Sequence, residues 1–338
     1  MTDIPSTAEA TDRAPVAHRL KLYFRQPPLR RAEWPFLSGV LLLAAGLAVI
    51  PGLASDYWLS TARDALIMAI FALAIDLIWG KAGILTLGPT VFFGLGAYGM
   101  AIMTVMHGAS PFVGMAMGMA AAAALAAVVG GLLIYAGVRL HNFAIATMAL
   151  LLIVAQLATA WSGLTGGDVG ILGVPPLVPA LWDVTLSYYV HLALMLMVML
   201  GLWLLTRGGY GRLLSGIFMN ETRARNFGYA TDFHLTVVFT AGGALAGFAG
   251  ALFAAASGVI APDIFSPLMS TMAIIWVAVG GRGTLLGPVI GAIGLNLAQN
   301  ELSSISVSLW PLILGVIFLA MVLFMPGGLQ SLVRKVPT

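Results

Sequence analysis

The side chains in this sequence that could do chemistry are few, and their placement says more than their number. Gly211-Arg212 leads to Asn220-Glu221-Thr222-Arg223-Ala224-Arg225-Asn226-Phe227-Gly228-Tyr229. Within it, 219–227 can wind into a short amphipathic helix that a glycine ends. Such a helix reads equally as a solvated charged loop and as a coupling helix seated in a cleft on a cytoplasmic ATPase. A second group consists of amides in otherwise apolar runs: Gln156, and Asn296, Gln299 and Asn300 at helical spacing. Amides in an apolar medium tie helices together, and they would also hydrogen-bond a polar solute. Asp76, with Lys81 five residues on, is the third. Its plain reading is an acid at the membrane interface paired with a snorkelling lysine, and the other is a role in transport.

Glycine and proline mark a fourth group. Residues 83–99 read Gly-Ile-Leu-Thr-Leu-Gly-Pro-Thr-Val-Phe-Phe-Gly-Leu-Gly-Ala-Tyr-Gly. A helical proline at Pro89 removes one hydrogen bond, and Gly88 before it loosens the turn. In lipid, freed backbone groups are tolerated only where protein or a watered cavity covers them. The segment therefore reads as a broken helix lining a solute path, or as close packing through small residues. Leu-Gly-Pro recurs at 286–288, inside the run Gly280-Gly-Arg-Gly-Thr-Leu-Leu-Gly-Pro-Val-Ile-Gly-Ala-Ile-Gly294, which is compatible with an ancient duplication. Glycine pairs four apart (Gly114/Gly118, Gly243/Gly247, Gly287/Gly291) let backbones approach, chiefly within one chain.

Several chemistries are excluded. The glycine-rich run at 280–284 lacks the lysine of a P-loop, so ATP is not bound that way. With Cys 0, disulfides, iron–sulfur clusters and thiol catalysis are out. Paired carboxylates, zinc-ligand spacings and nucleophile constellations are missing, and the five histidines are scattered. No enzyme, cofactor or metal is expected.

The elements that must carry these residues are set by composition. Hydrophobic residues make up 60% of 338 and charged residues 9%, against about 25% charged in a soluble domain. A span needs about 20 apolar residues, and the apolar runs fall at 35–54, 65–79, 84–106, 112–135, 142–161, 188–206, 235–257, 268–280, 285–300 and 306–324. The fold class expected is all-α: a polytopic membrane protein with about ten spans and both termini cytoplasmic. With the N-terminus inside, every Lys and Arg except Arg63 lies on the cytoplasmic side, as the positive-inside rule requires. The net charge of +3 then follows from topology and signals no nucleic acid. The organisation expected is a cytoplasmic leader, 1–34, too long and basic for a cleaved signal; a membrane domain, 35–330, with a polar inner loop at 207–234; and a tail, 331–338.

The sequence resembles the permease subunits of bacterial ABC importers for branched-chain amino acids and urea. The likeness lies in Gly83–Gly99, Phe143–Leu150, Leu164–Pro175, Asn220–Gly228, Trp276–Pro288 and Phe324–Leu329, in the family's order over roughly 60–330. It implies the bacterial inner membrane, a heterodimer with a related second permease, two cytoplasmic ATP-binding subunits and a periplasmic solute-binding protein. It also implies that Glu221, Arg223, Ala224 and Gly228 lie in the ATPase-coupling element. The solute implied is a branched-chain or other apolar amino acid, with urea or a short amide as the alternative. A secondary transporter working alone and a channel-like facilitator are the rival classes. Along the solute path, Gln156, Asn296, Gln299, Gly88 and Pro89 are the candidates. Where the family usually has Gly-His-Ala, this chain has Gly88-Pro89-Thr90, so any role of that histidine is absent.

Overall fold

The computed structural model describes residues 34–305 save 53 and 139, and isolated positions at 312, 313, 315, 316 and 319. The leader, most of the expected tenth span at 306–324, and the tail lie outside the described residues. Helix α1 is Trp34–Val49, and α2 (Asp56–Ile75) runs on through a π turn at Asp76–Lys81. Next come α3 (Pro89–Ala101), prolonged by a π turn to Met106, α4 (Pro111–Tyr135), α5 (Leu140–Ala160) and the single turn α6 (Ser162–Thr165). The second half holds α7 (Val184–Arg207), α8 (Gly209–Met219), α9 (Glu221–Asn226), α10 (Thr231–Ser257), α11 (Pro267–Gly280) and α12 (Leu286–Ile305).

Local chemistry fixes these starts. Proline opens α3, α4 and α11, where its missing N–H is one that a first turn leaves unpaired anyway. The side chains of Asp183, Asn220 and Ser266 cap α7, α9 and α11 by accepting backbone N–H groups of the first turn. Five helical stretches among the described residues are long and apolar enough to cross a membrane: Pro89–Met106, Pro111–Tyr135, His141–Ala160, Val184–Arg207 and Thr231–Ser257. The protein is an all-α polytopic membrane protein.

Helix α2 is the hub. Residues 65–78 are buried without interruption, because α7, α10, α11 and α12 pack around it. A helix apolar on every side needs lipid or protein all round, and here protein supplies most of it. A second layer joins α3, α4 and α10. Its contact stripe on α4 is Gly114, Gly118, Ala122, Ala126, Gly130 and Ile134, four apart and so on one face. Lipid tails are as apolar as leucine, so close backbone approach has to hold such helices together. A methyl on Gly96 would overlap the Gly247 carbonyl, and one on Gly118 the Gly96 carbonyl. Gly243 lies against Ala126, and Gly291 against the Trp276 carbonyl, so the glycine pairs serve packing inside this chain.

Contacts far apart in sequence gather the helix ends. Tyr188 Oη donates to Leu47 O at 2.8 Å and Asn300 Nδ2 to Tyr57 Oη at 2.8 Å. A two-residue antiparallel ladder pairs Ile171 with Ile260 and Leu172 with Val259. Together these bring the ends of α1, α5, α10 and α12 to the end of the bundle where α2 and α7 begin.

Candidate functional site

The opposite end of the bundle holds three structures that meet. The first is a break in the backbone at 82–88, between the π turn of α2 and the start of α3. The sequence suggests a helix interrupted at Pro89, but Pro89 is the first residue of α3. The irregular stretch precedes it, so the proline starts a helix and kinks none. Gly83, at φ 78°, turns the chain out of the π turn. Leu87 N–H then donates to Thr147 Oγ1 of α5 at 3.1 Å, and Leu87 C=O accepts from Ser270 Oγ of α11. Thr86, Thr147 and Ser270 are buried, as non-helical backbone at membrane depth requires. Gly88 rides so close to α5 that a methyl there would overlap the Thr147 carbonyl. These hydroxyls were invisible in the sequence, since one threonine in an apolar run carries no periodic signal.

The second structure is a clamp between α2 and the α11–α12 loop. Asp76 reads from sequence as an interfacial acid with a snorkelling lysine; it is instead fully buried, at 0% exposure. Both charges close on one residue: Asp76 Oδ1 accepts the Gly283 N–H, and Lys81 Nζ donates to the Gly283 C=O. Gly80 leaves the room for this, because a methyl there would overlap the Asp76 carboxylate. Next to the clamp, the Arg282 guanidinium lies 5.2 Å from the Trp79 ring and 5.6 Å from the Phe218 ring, a cation–π arrangement. Phe218 also backs Gly83, where a methyl would come within 2.8 Å of Phe218 Cδ2.

The third is the polar unit α8–α9. Helix α8 buries Leu213, Leu214 and Ile217 and exposes Arg212 and Met219, so it is two-faced. Asn220 ends it and caps α9, accepting from Arg223 N–H at 2.8 Å. Arg225 pairs with Glu221 within α9 at 2.9 Å and ties the unit to α10 through Asp232 at 2.8 Å, and Gly228 turns the chain at φ 85°. In α9 only Ala224 is buried, whereas Arg223 and Phe227 project outward. A groove of about 550 Å³ runs beside them between Arg212, Met219, Arg223 and Tyr229. A cavity of about 520 Å³ lies beside the Phe218–Gly83 contact, lined by residues 82–85, Tyr135, Glu221 and Arg282.

The three structures are in contact with one another. Phe218, two residues before the Asn220 cap, touches Gly83 of the broken segment and Arg282 of the clamped loop. Phe218 thus links the α8–α9 unit to the segment before α3 and to the loop between α11 and α12. The candidate amides are placed differently. Gln156 is exposed on α5, which packs on α3 and α11, while Asn296 and Gln299 are half-buried on α12, which packs on α2, α11 and α1. Among the described residues, the two helices that carry them have only α11 as a common neighbour.

Known proteins match the chain along most of its length. The family model described as branched-chain amino acid transport system / permease component matches residues 57–323. The high-affinity branched-chain amino acid transport system permease protein LivM of Escherichia coli is 28% identical over 88% of this chain and 75% of its own length. Its Salmonella typhimurium counterpart is 27% identical over the same shares. The autoinducer 2 import system permease protein LsrC of Klebsiella pneumoniae is 32% identical over 63% of this chain and 62% of its own length. No solved structure matches significantly. With most of its length matched, the chain belongs to the family of permease components of branched-chain amino acid transport systems, ABC-type transporters of the bacterial inner membrane.

Proposed function

We propose that this chain is one transmembrane subunit of an ATP-driven importer for branched-chain or other apolar amino acids. It works beside a related second permease, two cytoplasmic ATP-binding subunits and a periplasmic solute-binding protein. The observation that carries this reading is α8–α9: a capped polar unit, exposed at the end where the basic residues cluster, and joined through Phe218 to both the broken segment and the clamped loop. An element used only as a connector needs no such contact. In this reading Arg223, Ala224 and Gly228 seat α9 on the ATP-binding subunit, and Glu221 fixes its angle through Arg225. ATP hydrolysis belongs to the separate subunits.

The solute reading is supported by the two relatives named for branched-chain amino acids and by the scarcity of charge along the spans. A path of amides, hydroxyls and backbone groups suits a small zwitterion held weakly. The test is uptake of labelled leucine, with and without this chain, in cells carrying the complete transporter. Copurification of ATP-binding subunits is scored alongside. Uptake that persists after ATP depletion, or copurification without any ATPase, would overturn the assignment.

A further inference from the structure

The opposite end of the bundle holds a cavity of about 220 Å³ that the coupling machinery does not use. At about 30 Å³ per water it has room for roughly seven waters, or for one small metabolite. It lies where α2 and α7 begin and α10 ends, roofed by the Pro-rich loop before α7. Its polar lining residues include Arg63, Ser187, His191 and Ser257. His191 of α7 is 2% exposed, and its Nδ1 meets the Ser187 carbonyl at 2.7 Å. A carbonyl only accepts, so Nδ1 carries the proton and Nε2 of the neutral ring is left as an acceptor. That Nε2 is buried with no hydrogen-bond partner. Arg63 of α2, its side chain 13% exposed, spends Nε and Nη2 on a single oxygen of Asp64, at 3.0 and 2.9 Å. The rest of its five donors remain for another acceptor. Ser257 spends its hydroxyl on the Val259 carbonyl at 2.9 Å, and the rest of the wall is largely apolar, with Val174, Leu177, Val184 and Ala255.

We propose that this cavity is an entry-side subsite for an aliphatic α-amino acid. The solute's carboxylate lies on the Arg63 guanidinium, its ammonium donates to His191 Nε2, and its side chain rests on the apolar walls. The site demands a ligand with an anionic end, a donor end and an apolar body, and an aliphatic amino acid carries all three on one carbon. Water alone leaves the apolar walls and most of the arginine fork poorly matched. The proposal rests on the reading of the solute as an apolar amino acid and adds a place where this chain itself recognises it.

The probe is labelled leucine, bound to the complete transporter in nanodiscs without solute-binding protein or nucleotide. Saturable binding is expected, displaced by valine and isoleucine. Neither 4-methylpentanoate, which lacks the amine, nor 3-methylbutylamine, which lacks the carboxylate, should displace it. Arg63→Gln and His191→Phe should each weaken binding roughly tenfold or more, the loss of one good polar contact. His191→Gln, which retains an acceptor, should recover part of that loss. Subunit assembly on a sizing column shows whether each variant folds. No saturable binding, equal competition by either one-ended analogue, or unchanged affinity in both assembled variants would sink the proposal. Absent ATP-driven leucine uptake by the wild type counts against the solute reading, whatever the binding assay gives.

Discussion

Asp76 shows how a single residue can be visible in a sequence while its work is not. Its position near a span end was legible; its partner, the backbone of Gly283, was not, because backbone groups leave no trace in composition. The pairing makes two substitutions informative. Asp76→Asn keeps an acceptor oxygen for the Gly283 N–H, whereas Asp76→Ala leaves that donor without it, at about 1–3 kcal/mol. The alanine variant should therefore melt well below the asparagine variant when the assembled transporter is heated in detergent; equal melting would show that the clamp bears no load. Gly80→Ala should cost about 1–3 kcal/mol by overpacking the same spot. Its thermal midpoint is the check, and a wild-type value would mean that the carboxylate simply moves aside.

At the scale of elements, most helices were legible, because apolar runs bounded by glycine, proline and charge are strong signals in lipid. The expected runs at 112–135, 142–161 and 268–280 lie within two residues of α4, α5 and α11. The break before α3 was harder: Gly88 and Pro89 announce an irregularity without saying on which side of the proline it lies. The structure separates the two readings by experiment. Because Pro89 is a first-turn residue, Pro89→Ala should change stability by less than about 1 kcal/mol; removing a true kink would reshape the helix and abolish transport. Thr147→Val strips the hydroxyl from the Leu87 N–H and should cost about 1–3 kcal/mol. Its effect should be non-additive with Ser270→Ala, since both hydroxyls hold one residue. Additive losses in uptake rate and melting would mean that the segment is not held as a unit. The amides at Gln156, Asn296 and Gln299 were legible as polar residues, but sequence has no means of saying which helices share a wall.

For the whole molecule, sidedness is the property on which the functional reading turns. Asp168 lies at the end marked by the two-stranded ladder, and Arg223 at the end marked by the clamp. In a chain with no cysteine, single cysteines at these positions report without background. Asp168→Cys should react with an impermeant thiol reagent added outside intact cells, and Arg223→Cys only after lysis; reaction of both from outside would refute the orientation. The clamp also has a consequence in time. Asp76 and Gly283 are 207 positions apart, so at about 5–20 residues per second the ribosome takes roughly 10–40 s to supply the acid's partner. Until then an uncovered carboxylate sits on the central helix, a costly state in hydrocarbon. A chain truncated at residue 260 never leaves that state. In a pulse–chase it should be degraded faster than the same fragment carrying Asp76→Leu, and equal lifetimes would show that the uncovered acid costs nothing.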